Sequence, residues 1–239
     1  MKIGNPAGVK TTPALGLFPH DELNLYLVME DLKPATLVSC VSYERTEDNP
    51  RLIGFLTSTR TPYSEQRTEN EERTMRGLEV IGKKVRHIYT LFIGTTEAKR
   101  DRLKNAGEDH KEFGLALGYP EDAVDAFCSS RKKPGTYMHY QICKAADEGT
   151  PIPLWLAYVH HIPQEFNLKR NIVPPLTKAL ATTYQQHVRR SHPDLAERFE
   201  AWFREDISRM TCSTTSGLPY NVARYYGPEQ EKIPKRTFL

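Results

Sequence analysis

The chain has 239 residues, 38% apolar and 26% charged, with a net charge of +3. That length holds one large domain or two small ones, and the balance is that of a globular chain rather than a disordered one. No apolar run approaches the ~20 residues of a membrane helix, the first residues carry no secretory h-region, and so small a charge does not by itself imply a nucleic-acid partner.

Residues 1–19 hold Pro6, Pro13 and Pro19 with Gly4, Gly8 and Gly16, and read as an irregular arm. His20 opens a helix to about Leu32, ended by Lys33-Pro34, although the alternation Leu23, Leu25, Leu27 suits a strand equally. Ala35 to Tyr43 is a strand by its β-branched content. Thr46 to Pro50 is a turn, and Leu52 to Thr59 is expected to be the second strand of a hairpin. Glu65 to about Gly82 reads as a charged helix with a solvated first half. Val85 to Ile93 is the clearest strand. A threonine of Gly94-Thr95-Thr96 then caps a helix from Glu97 to Asn105, which Gly107 ends. A strand leading through such a turn into a helix can hold a phosphate on backbone N–H groups, but an ordinary capped turn reads the same way, and no G-x-x-x-x-G-K-[ST] motif is present.

His110 to Phe127 is the stretch around which the rest is organised. Leu103, Phe113 and Leu117 share a helical face. Gly118 stands where a helix-ending glycine would, and Pro120 suits the first turn of a second helix, with Glu121 and Asp122 complementing its dipole. Tyr119 occupies the corner, its ring packing inward while its hydroxyl finds a partner. Beyond the loop Arg131-Lys132-Lys133-Pro134-Gly135, Tyr137 to Asp147 reads as helix. Pro153 to Ile162 is apolar until His160 and His161, and fits a buried strand with a buried helix as the alternative. Pro174-Pro175 opens a helix through Arg190. Ser191-His192-Pro193-Asp194 starts another, with Leu195, Phe199, Trp202, Phe203 and Ile207 as its apolar stripe. The tail from Met210 reads as irregular.

The run His110, Phe113-Gly114, Leu117-Gly118-Tyr119-Pro120, Val124 and Phe127, with His161-Ile162-Pro163 later, resembles the mainly archaeal family called domain of unknown function 483. The resemblance covers about the second half of the chain and implies a shared fold and site, but no known activity. The chain departs from it at the family's cysteines: Asp122-Ala123 stand where a pair would be, and Gln164 follows Pro163. Any metal or redox role of those cysteines does not carry over.

The cysteines Cys40, Cys128, Cys143 and Cys212 form no C-x-x-C pair and are expected reduced, with Cys40 and Cys128 in the core. The candidate catalytic residues are His110, Glu112, Tyr119 and His161, a set able to do acid–base chemistry on a small polar or phosphorylated molecule. His160 would face away from His161 on a strand. The blander reading makes each histidine a hydrogen-bonded core or rim residue. No H-E-x-x-H spacing supports a metal, no G-x-S-x-G elbow exists, and no cofactor is indicated. The alternative function is RNA or nucleic-acid association through the clusters Lys83, Lys84, Arg86, then Lys99, Arg100, Arg102, Lys104, then Arg131, Lys132, Lys133. The expected architecture is α+β, with mixed α/β as the alternative: a small sheet from an N-terminal hairpin plus one or two strands, packed with several helices. Residues 20–209 read as one domain between the arm and a packed tail at 210–239. The expected location is cytoplasmic, with no membrane partner.

Overall fold

The computed structural model describes residues 15–42, 50–76, 79–129, 142, 145–146, 148–159, 162, 174–212 and 219–221. Its architecture is α+β, helices with a three-stranded antiparallel sheet. The chain forms two compact units, one within 14–118 and one within 119–239.

The first unit opens with α1 (Pro19–Met29), which carries Pro at its start and Asp21 and Glu22 in its first turn. Residues from Glu22 to Val28 are all buried, so this helix runs through the unit rather than over it. Strand β1 (Ala35–Ser42) pairs with β3 (Glu79–Gly94), which also pairs with β2 (Tyr63–Arg76), giving the order β1-β3-β2. In register, Val38 faces Leu91 and Tyr63 faces Ile93. One sheet face thus presents Val38, Leu91 and Ile93 to Leu25 and Val28 of α1 and to Leu52 and Leu56 of α2 (Pro50–Ser58).

The expected strand over Leu52–Thr59 is therefore α2. Leu52 and Leu56, one helical turn apart, are its buried residues, and only Ile53 and Thr57 of its core are β-branched. The expected helix from Glu65 is β2. Glu, Gln and Arg have good helix propensity, but the ladder to β3 satisfies the backbone and leaves Gln66, Arg67 and Thr68 exposed at a sheet edge. Arg67 lies 5.1 Å from the centre of the Tyr89 ring, which covers that face.

After β3, Gly94 permits the close approach of α3 (Glu97–Ala106): a Cβ there would lie 2.5 Å from the Arg100 nitrogen. Thr96 caps α3 by accepting from the Lys99 N–H. Asp109 caps α4 (His110–Ala116) by accepting from the Lys111 and Glu112 N–H groups. Gly118 ends the unit at φ 78, with no room for a Cβ, which would meet Pro34 Cδ at 2.5 Å.

The second unit contains α5 (Glu121–Ser129), a 3₁₀ turn (Leu154–Tyr158), α6 (Pro175–Ser191), α7 (Pro193–Arg209) and the paired short strands β4 (Met210–Cys212) and β5 (Pro219–Asn221). The 3₁₀ turn replaces the strand expected over Pro153–Ile162. All of its residues except Trp155 are buried, as expected, but Leu154-Trp155-Leu156-Ala157-Tyr158 holds no β-branched side chain to favour extension. The stripe of α7 is core: Leu195, Phe199, Phe203 and Ile207 are buried, and Phe199 meets Tyr158 edge-on at 5.2 Å. Cys128, expected in the core, is exposed in the last turn of α5, past the buried Ala123 and Val124. Cys40 lies on β1, its side chain outside the described set. Among the described residues no helix is long and apolar enough to cross a membrane.

Candidate functional site

Three loops meet at one end of the sheet in the first unit: the exit of α1, the exit of α2 and the β3–α3 turn. They enclose a cleft of about 400 Å³ lined by Val28, Met29, Asp31, residues 59–62, residues 94–96 and Lys99. Two of these exits are built alike. At the end of α1 the Asp31 and Leu32 N–H groups donate back to the Val28 and Leu27 carbonyls; at the end of α2 the Arg60 and Thr61 N–H groups donate to those of Thr57 and Leu56. Each turn puts one residue in the left-handed region, a place usually given to glycine. Here the occupants are Asp31 and Arg60, both at φ 55, and among the described residues they are the non-glycine residues with positive φ. Backbone strain of this kind collects at functional sites.

The cleft carries a positive balance. Lys99 reaches across to Asp31 at 3.3 Å, with side chains 44% and 75% exposed, so the pair is loosely held in water. Arg60 is exposed at the second loop. The start of α3 reaches the cleft at Thr96 and Lys99, at the positive end of the helix dipole. Thr59 and Thr61 supply hydroxyls 2.8 Å apart, while Thr95 Oγ1 is shut from solvent without a hydrogen-bond partner. Such a hydroxyl costs about 1–3 kcal/mol.

Next to the cleft loop, Lys33 is buried and donates to Asn24 Oδ1 at 2.6 Å. Asn24 Nδ2 in turn donates to the His20 carbonyl at 3.0 Å and faces the His20 ring. Burial pushes the Lys33 amine down to about 7, with Asp21 acting in the opposite direction.

Of the residues expected to be catalytic, His110 and Glu112 do not line this cleft. His110 is exposed at the first position of α4. Glu112 is exposed on the same helix and accepts from Arg102 Nε and Nη2 at 3.2 and 3.0 Å, tying α4 to α3. Tyr119 belongs to the second unit; burial and then the neighbouring Tyr184 hold its phenol above the ordinary range. His160 and His161 lie outside the described residues. His110 and Glu112 share one short helix, and neither lines the cleft. Among the described residues no three of His, Cys, Asp and Glu gather as a metal site.

Of the basic clusters, α3 is described. Lys99 pairs with Asp31, Arg100 with Asp101 and the Tyr63 carbonyl, and Arg102 with Glu112. The side chains of Lys83, Lys84 and Arg86 and all of Arg131–Lys133 lie outside the described residues.

Sequence reading flagged the Gly94-Thr95-Thr96 turn but missed Asp31 and Arg60. Arg60 was hidden because its helix was read as a strand.

Compared with family models, with curated proteins and with solved structures, the chain gave no match.

Proposed function

We propose that the chain binds a small phosphorylated molecule in the cleft at the amino end of α3. One observation carries this reading. The described non-glycine residues in the left-handed region both line that cleft, and one of them, Arg60, brings a cation to the same rim as Lys99 and the first turn of α3. A helix start with two nearby cations is a standard anion environment. The wider reading as an RNA-associated protein has less support, because Arg100 and Arg102 of α3 already hold local partners. Catalysis by Glu112 or Tyr119 likewise has little support: Glu112 is held by a guanidinium, and a phenol kept protonated cannot serve as a base. His110 and His161 keep their place as candidates on the sequence run alone. Kinship with domain of unknown function 483 rests on that same run, and we keep the cytoplasmic location as part of the proposal.

Calorimetric titration of the full chain with inorganic phosphate tests the reading. Lys99→Ala and Arg60→Gly are each expected to weaken binding about tenfold, ~1.4 kcal/mol, and the wild-type affinity should fall as salt rises. Unchanged affinity in both variants would contradict it.

A further inference from the structure

We infer that the ligand is a phosphorylated polyol and that Asp31 reads its hydroxyl groups; this rests on the cleft being an anion site, as proposed above.

The cleft is too large for phosphate alone. About 400 Å³ lies within the ~300–1,000 Å³ that encloses whole small molecules. Its wall is also mixed. Met29 and Pro62 supply carbon surface, suited to the C–H faces of a polyol chain or ring, while Arg60 and Lys99 supply positive charge.

Asp31 is the feature that a bare anion does not explain. A carboxylate accepts hydrogen bonds and donates none, so on the rim of an anion cleft it repels phosphate. A ligand that carries hydroxyl donors a few ångströms from its phosphate turns that repulsion into recognition. The position is fixed by the fold rather than by chance. Asp31 stands in the left-handed region at φ 55, held there by N–H donation from Asp31 and Leu32 back into the last turn of α1. Its carboxylate meanwhile rests on Lys99 at 3.3 Å, where it stands in for the anion. Arrival of a phosphate on Lys99 releases Asp31 toward the rest of the ligand. Asp31 thus weakens binding of inorganic phosphate and strengthens binding of a phosphate that brings hydroxyls with it.

The experiment is calorimetry on the full chain with inorganic phosphate, glycerol 3-phosphate, ribose 5-phosphate and glucose 6-phosphate. In the wild type at least one polyol phosphate is expected to bind about tenfold more tightly than inorganic phosphate, the discrimination that one hydrogen-bonded charged group supplies. Asp31→Gly keeps the left-handed turn, removes the carboxylate and frees Lys99. It should tighten inorganic phosphate about threefold while shrinking the polyol advantage to within about threefold. Asp31→Asn, which keeps an acceptor oxygen but no charge, should tighten inorganic phosphate equally and retain part of the advantage. Polyol phosphates binding no better than inorganic phosphate, or an advantage that survives Asp31→Gly, would overturn the inference and leave the anion site standing. No binding of any of the four would overturn both.

Discussion

Each unit holds an acid–base pair worth comparing, Arg189–Glu200 in the second and Asp31–Lys99 in the first, and the two differ in burial and in the number of bonds they make. In the second unit Glu200 is buried and accepts from Arg189 twice, at 2.8 and 3.0 Å, from the Tyr158 hydroxyl at 3.0 Å and from Gln185 at 3.3 Å. Burial alone would raise its carboxyl, but these donors together win and hold it below the ordinary range, and the same pairing raises Arg189. In the first unit Asp31 and Lys99 touch by a single 3.3 Å contact in solvent. The Glu200 cluster joins α6, α7 and the 3₁₀ turn, and both carboxylate oxygens accept hydrogen bonds. The Asp31 pair joins nothing that the core does not already join, and it can exchange partners. A saturated buried pair is architecture; an unsaturated exposed pair on a cleft is available to a ligand.

The largest effect should come from breaking the saturated cluster. Glu200→Ala strands the Tyr158 hydroxyl and leaves Arg189 to re-solvate at its half-exposed position, so the full chain should lose about 2–3 kcal/mol in guanidinium unfolding. Next, taken per pH unit, is the slope of stability with pH. The folded-state amine of Lys33 titrates at about 7, against 10.5 ordinarily, so between pH 7 and 10 the unfolded chain binds more protons. Stability should rise with pH in that window by up to ~1.4 kcal/mol per unit, and Lys33→Met should flatten the rise. Above pH 10 the sign reverses: Tyr184, pushed up to about 12 by burial, favours the folded state below 10 and loses that contribution as its phenol ionises. Smaller again is Arg60→Gly. Relief of the left-handed backbone should stabilise the chain by about 0.5–1 kcal/mol while phosphate binding falls, a trade of stability for function at one residue. Smallest is the stability cost of Lys99→Ala, below ~0.5 kcal/mol for so exposed a pair, even as that variant loses ligand.

Legibility followed the same divide. Where structure is local, residue types announced it: the Thr96 cap of α3, the Gly118 corner and the stripe of α7 all read directly from spacing. Where structure depends on a distant partner, they did not. Glu65–Arg76 carries the composition of a solvated helix and becomes a strand only because β3 supplies its ladder. Leu52–Ser58 carries enough apolar residues for either period, and the burial of Leu52 and Leu56 against α1 and the sheet decides for a helix. The cleft was harder still, because Asp31 and Arg60 come from two helix exits and Lys99 from the first turn of α3, and no motif links them. The residues singled out for chemistry, His110 and Glu112, stood out because a short run held many distinctive side chains. That density marks a capped helical corner as readily as a site.

The cleft of the first unit, and not the charged cluster of the second, is the proposed seat of a phosphorylated ligand. Backbone amide NMR during titration of the full chain with inorganic phosphate measures this directly. The account predicts that the shifted amides gather at Asp31, Thr59–Thr61 and Thr95–Arg100, with those around Arg189 and Glu200 unmoved. Shifts centred on α6 and α7, or none at the α3 turn at saturating phosphate, would contradict it.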